Sequence, residues 1–418
     1  MSIGYACIVL GERNTTISRC LLKDATDDKI KKVTLANVLA LEAMIDYNIK
    51  NNISLFRISS DIIPFGSHPV NKVNWQLEFK DILCRIGSKI NNAGIRVSMH
   101  PGQYTVLNSK TQSIVQNAIA ELQYHSMFLD SILTDNKSKI VLHIGGVYGD
   151  KNKSIEAFIN NFYALPDFVK KRIIIENDDK NYSIEDVLEI SQIIKIPVVF
   201  DNLHNLSNPP KDALADFEWI ELCGKTWGND DGKQKIHYSQ KKIGGSNSAH
   251  SSTINVTEFI NFYDKLYNKN IDIMLEVKDK NLSAIKCINA TSIDISIGAI
   301  EREWARYKYL VLSSSASLYN DIRNMLKNKE NVDVIGFYGI IDTAMLLENN
   351  VGAQINAAQH IWGYLNTECS TAEKNRFERL LKEYKEGIAN VSSIKNHLLK
   401  CAIKQDVQYL KNSYYFYL

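Results

Sequence analysis

The sequence predicts an α/β fold, a (β/α)8 barrel followed by a smaller all-α domain, and three observations lead there. Eight short β-rich runs lie within the first 290 residues, at 3–10, 54–60, 94–100, 139–146, 172–177, 196–204, 234–239 and 271–277. Most are separated by stretches whose apolar residues recur at three- and four-residue spacing, the mark of a helix with one buried face. Beyond residues 288–298 this alternation stops and the chain reads mainly as helix.

Each element has its own reason. Runs such as "KIVLHIGG" and "RIIIEN" are apolar almost throughout, which suits a parallel sheet covered on both faces. "QKIHYS" is short and polar, the least typical strand of the set. "LANVLALEAMIDYNIKNN", "SIVQNAIAELQYHSMFLDSIL", "SIEDVLEISQII" and "NVTEFINFYDKLY" supply helices between the strands. Ser183 is placed to cap the third, with Glu185 and Asp186 in its first turn. Repeated strand–helix units favour closure into a barrel over an open doubly wound sheet. No Gly-rich fingerprint follows the first run, so no nucleotide cofactor is expected. The expected division is a barrel domain over residues 1–290 and a helical domain over 298–418. The second reads as helix across 299–330 and 371–410. There Arg302, Arg306, Tyr307 and Lys308 could share a phosphate-binding helix face, although such charge is more often a solvated surface. His360 reads as a core or interhelical residue.

With 418 residues and 45% apolar content the chain can bury a sizeable core. A formal charge of +2 excludes a generally basic nucleic-acid coat but not a local basic groove. The seven cysteines are scattered without a CxxC pair, which argues against a disulfide framework and against a thiolate zinc site. No apolar run approaches the length of a membrane span, and no signal pattern opens the chain. The expectation is a cytoplasmic monomer with no membrane attachment.

Chemistry-bearing residues collect at the C-terminal ends of the strand runs. His68 follows the second run and His100 ends the third; His143 is near the end of the fourth and Glu176 near the end of the fifth. Asp201 and His204 close the sixth, His237 lies in the seventh, His250 follows it, and Glu276 is near the end of the eighth. In a barrel these positions share one mouth, where active sites are built. Six of the nine histidines converge there with two Glu and one Asp, while His125, His360 and His397 lie in helical stretches elsewhere. Any one such residue is usually structural. Several carboxylates gathered without cations, however, carry a large Coulomb and desolvation penalty. Divalent metals remove it, and mixed imidazole and carboxylate donors suit Zn2+ or Mn2+. The set is too large for one tetrahedral ion and suits two or three, with Glu176 as a bridge. Such clusters serve phosphoester hydrolysis. Lys235, two residues before His237, shares its strand face; it either turns away into solvent or acts as a modified or deprotonated ligand. Gln103 and Tyr104, just beyond His100, put an amide and an aromatic ring on the rim, where displaced bases could be met.

Taken together, "GYACIVL", "FRISSDIIPFGSHP", "VSMHPGQY", "VLHIGG", "IIIENDD", "FDNLHN", "KIHYSQ" and "MLEVKDK" resemble the ultraviolet damage endonucleases over roughly the first 285 residues. The resemblance implies a TIM barrel with up to three metal ions, commonly Mn2+, with Zn2+ or Mg2+ as alternatives. It implies nicking of damaged double-stranded DNA immediately 5′ of photoproducts. It also implies that His100, His143, Glu176, Asp201, His204, His237, His250 and Glu276 are metal ligands. His68 matches an active-site histidine that binds metal or phosphate, and Lys235 matches a lysine that can be carboxylated. Catalysis would rest on His68, Glu176, Lys235 and Glu276. Gln103 and Tyr104 match the pair that probes the duplex, and Tyr5 an aromatic of the lesion pocket. Val9 stands where the family often has Asn, a departure that bears on the lesions accepted. The C-terminal part resembles a helical domain of unknown function. The competing readings are another metal-dependent barrel, such as an abasic-site endonuclease or sugar isomerase, and a non-catalytic module that binds damaged DNA.

Overall fold

In the computed structural model, which describes residues 1–329 and 332–418, eight parallel strands close into a ring in chain order. They are β1 (Ser2–Ala6), β2 (Leu55–Ile58), β3 (Arg96–Met99), β4 (Ile140–His143), β5 (Ile173–Glu176), β6 (Val198–Asp201), β7 (Lys235–Tyr238) and β8 (Asp272–Leu275). All eight expected runs form strands, "KIHY" included. The chain divides into two compact units. The first comprises Met1–Val9, Arg13–Ile254 and Phe262–Ile285, and holds the barrel. The second comprises Leu10–Glu12, Asn255–Asn261 and Lys286–Leu418.

The strands stop earlier than their apolar runs suggest, and local backbone chemistry explains why. β1 ends at Ala6 because Cys7 turns into the left-handed region, with φ of 70°. β6 ends at Asp201 because its carboxylate accepts a hydrogen bond from the His204 backbone N–H at 2.8 Å, capping the short helix Asn202–Ser207. His204 therefore sits on a helix, not at the close of a strand. Ser183 caps Ile184–Ile194 through a capping box with Asp186, as the sequence suggests.

Register decides what faces the barrel interior. Val141, Ile174 and Val199 form one buried cluster, against which Trp227 packs. The residues two positions further along their strands, His143, Glu176 and Asp201, occupy the next interior layer toward the C-terminal mouth. Asp201 pairs in register with His237, which puts Lys235 level with the apolar layer. Ala6 pairs with Arg57, and Arg57 with Ser98, so Arg57 points inward. Tyr5 pairs with Phe56 and faces out, against the helix Asp27–Lys50.

At the N-terminal end of the barrel, Arg96 acts as a hub. Its guanidinium donates to the carbonyls of Lys137, Lys233 and Asp231 and pairs with Asp272 at 2.9 Å, while stacking over Trp227.

The second unit is helical. Ile297–Leu312, Val351–Leu365, Thr371–Lys385 and Val391–Lys404 share a core that includes Leu312, Ile361, Phe377, Leu380 and Leu398. Of the expected helical stretch 299–330, Glu330 lies outside the described residues. Arg302, Arg306, Tyr307 and Lys308 do not form one open face. Arg306 is held by Glu303 and Tyr414, Tyr307 is buried, and Lys308 lies between the rings of Tyr309 and Tyr409. His360 is exposed rather than packed in the core. No described helix is long and apolar enough to cross a membrane.

Arg96→Ala strands the Asp272 carboxylate, which is only 2% exposed. The expected cost is about 3–5 kcal/mol of unfolding free energy, read from urea or thermal denaturation.

Candidate metal centre

Glu176 is the centre of the interior layer, 1% exposed and surrounded by imidazoles. His237 Nδ1 lies 2.7 Å from Oε1, and His100 Nε2 lies 3.1 Å from Oε2. His143 Nε2 and His204 Nδ1 each approach to 3.7 Å. The donors fall into three groups, each sharing Glu176: with His100 and His143, with Asp201 and His204, and with His237 and Glu276. Within each group the candidate ligand atoms lie within 4.8 Å of one another. Buried His, Glu and Asp clusters of this kind could bind metal ions.

Second-layer hydrogen bonds set the imidazoles for that task. His100 Nδ1 donates to the Pro101 carbonyl at 3.1 Å, His204 Nδ1 to the Asn177 carbonyl at 2.9 Å, and His250 Nδ1 to the Glu276 carbonyl at 2.6 Å. A carbonyl can only accept, so each ring carries a proton on Nδ1, which leaves Nε2 as the nitrogen that would take a metal ion once it has lost any proton of its own. Buried acceptor or donor atoms on His143, Asp201 and His237 have no hydrogen-bond partner among the described residues. Unpartnered polar atoms on three buried or half-buried residues of one layer leave that layer short of a self-contained polar network, as a site for cations would.

Electrostatics agree. Burial alone would raise the Glu176 carboxyl, but His237 and His143 beside it hold it well below the usual range. Burial opposes a charge on His204, yet Asp201 and Glu176 carry its pKa up to about 9. Burial pushes His143 down to about 4, with Glu176 offsetting only part of the effect. Asp201 is raised by burial despite His204.

The other expected site residues are placed as follows. His250 and Lys235 lie outside the three groups. Lys235 is fully buried, its Nζ has no hydrogen-bond partner among the described residues, and burial pushes its pKa well below the ordinary value, Arg96 adding to the shift. His68, Gln103 and Tyr104 line one cavity of about 830 Å3 together with His143, His204 and Glu121. His68 Nδ1 accepts from the Val70 backbone N–H at 3.1 Å, so the neutral ring presents Nε2–H to the cavity as a donor. Gln103 is exposed, and Tyr104 is 84% exposed. Tyr5 is not with them. Its strand parity turns it outward, it is fully buried, and its hydroxyl donates to Asn48 Oδ1 at 2.7 Å.

Three residues that the sequence reading left out of the site bear on it. Arg57 pairs with Glu276 from inside the barrel. Glu121 accepts from Ser67 beside His68, and its other oxygen lies 3.5 Å from His125 Nε2. His125 is thus not remote from the mouth: it is buried, and burial drives its pKa down to about 3, with the nearby His100 adding to the shift. An Arg inside an apolar strand was the one signal available in the sequence.

Residues 2–303 match the family model for UV-endonuclease UvdE. The chain belongs to that family. It is 42% identical over 387 residues to a UV DNA damage endonuclease of Clostridium perfringens, covering 92% of each chain. It is 36% identical over 285 residues to one of Bacillus cereus, covering 68% of this chain and 88% of the relative. Among solved structures, that of SacUVDE superposes with a TM-score of 0.65 at 38% identity, over 69% of this chain and 96% of the other. Residues 308–418 of this UvdE-family chain match the model for a protein of unknown function, DUF1722.

Glu176→Gln removes the shared carboxylate charge. Elemental analysis is expected to find at least one ion fewer per chain than in the parent after loading with Mn2+. The rise in unfolding midpoint on adding Mn2+ should shrink correspondingly. Equal metal content in both proteins would refute the shared-ligand assignment.

Proposed function

We propose that this protein is a metal-dependent endonuclease that cleaves damaged duplex DNA immediately 5′ of ultraviolet photoproducts, and acts on other lesions that distort the duplex. The reading is supported chiefly by one observation: the imidazole-ringed Glu176 lies at a barrel mouth whose main cavity also carries Gln103 and Tyr104. Family membership and the relatives' names point the same way.

Two or three divalent ions, Mn2+ first among them, would be held by His100, His143, Glu176, Asp201, His204, His237, His250 and Glu276. When bound they supply Lewis acidity and a water of lowered pKa. The chain's own residues do the rest. Glu176 draws the donor sets together. Arg57 orients the Glu276 carboxylate. His68 offers an N–H to a phosphate oxygen. Lys235, whose charged form burial disfavours, is the amine that carboxylation would turn into an anionic ligand. Gln103 and Tyr104 meet the duplex where stacking is disturbed, the ring against displaced bases and the amide against vacated base edges. The catalytic part is assigned to residues 1–290 and a separate helical domain to 298–418.

The deciding experiment is incision of a duplex containing one defined photoproduct, against abasic and undamaged controls, with Mn2+, Zn2+ or chelator. The expected product is a single nick 5′ of the photoproduct that chelator abolishes. Absence of incision under every metal condition would overturn the reading. Gln103→Ala combined with Tyr104→Ala is expected to lower the preference for irradiated over intact duplex about tenfold or more, at unchanged metal content. An unchanged preference would remove that pair from lesion sensing.

A further inference from the structure

A second cavity, of about 490 Å3, opens beside the metal centre. It is lined by the turn after β1 (Ala6, Cys7), by Arg57, by the loop at 248–250 and by Glu276, Val277, Lys278 and Lys280 after β8. The main cavity draws its lining from the loops after β2 through β6, so the two cavities flank the Glu176 layer on different sides of the mouth.

The charge of this second cavity is one-sided. It holds Arg57, Lys278, Lys280 and His250, and its single acidic side chain, Glu276, is already paired with Arg57. Neither lysine amine makes an ion pair among the described residues. Arg57 is 9% exposed and its Nε has no hydrogen-bond partner among the described residues. Arg57 is buried and incompletely partnered, which costs desolvation, and the half-buried Lys280 and exposed Lys278 add like charge at the same cavity that an anion would offset. Two walls are also held in unusual backbone: Cys7 has φ of 70° and Lys280 φ of 51°. Non-glycine residues in the left-handed region cluster where a site demands it.

We propose that this cavity is a phosphate subsite, in which Arg57, Lys278 and Lys280 hold a backbone phosphate neighbouring the one at the metal centre. The subsite rests on the proposed endonuclease reading and adds to it a second anchor, so that the cut strand is gripped on both sides of the reacting bond. Phosphate contacts of this kind fix register and carry no sequence preference.

The test combines Lys278→Ala with Lys280→Asn, Asn being chosen because it tolerates the left-handed backbone. Binding of an irradiated duplex oligonucleotide to the full chain is measured by fluorescence anisotropy in chelator, across a salt series. Loss of two phosphate-contacting lysines should weaken binding about tenfold near 0.1 M salt and flatten the log–log salt slope by about two. A control removes equal charge at the other end of the barrel, Lys225→Ala with Lys233→Ala, and should leave both quantities near parental values. Equal affinity and slope in the Lys278/Lys280 variant and the parent, or equal losses in variant and control, would overturn the subsite. Parental incision of the photoproduct duplex, assayed alongside, separates the two ideas: incision with an unchanged slope sinks the subsite alone.

Discussion

The structure turns on a carboxylate that has been taken out of water. Removing an ionised Glu from solvent costs several kcal/mol even after relaxation, unless positive or hydrogen-donating groups meet it. Around Glu176 the meeting is arranged by strand register: His100, His143 and His237 come from three other strands or their ends, and His204 from the helix that Asp201 caps. Beneath them the Val141, Ile174 and Val199 layer, sealed by Trp227, keeps water away and makes every interaction above it stronger. The apolar floor and the polar ceiling are two consequences of one alternation.

Much of this was legible in the amino-acid order. Near-continuous apolar runs ending in His, Glu or Asp announced both a parallel barrel and the end of it that carries chemistry. What escaped detection depended on parity and neighbours. Tyr5 is aromatic and lies within β1, but strand parity turns it outward onto Asn48. Arg57 sits in "LFRI", where a charge looks like an edge decoration until pairing with Ala6 and Ser98 sends it inward. His204 read as a strand terminus because nothing local says that Asp201 will cap a helix. His125 read as remote because helical spacing does not reveal which loop a helix packs beneath.

The helical unit shows the complementary limitation. Its core is explained by ordinary three- and four-residue spacing, and its family match carries no activity. Charges that looked like one face on α-helical spacing are dispersed by specific partners, Glu303 and Tyr414 for Arg306 and two tyrosine rings for Lys308. Polar residues on a helix say little about purpose until their neighbours are known.

Tyr104 stands four residues after His100, so their α-carbons can be no more than about 14 Å apart however the turn relaxes. On the proposed reading this short tether is a ruler. The point at which the duplex is felt and the point at which it is broken are held at a constant offset by covalent geometry. Lesions of unlike chemistry that kink the helix alike would then be cut at the same position.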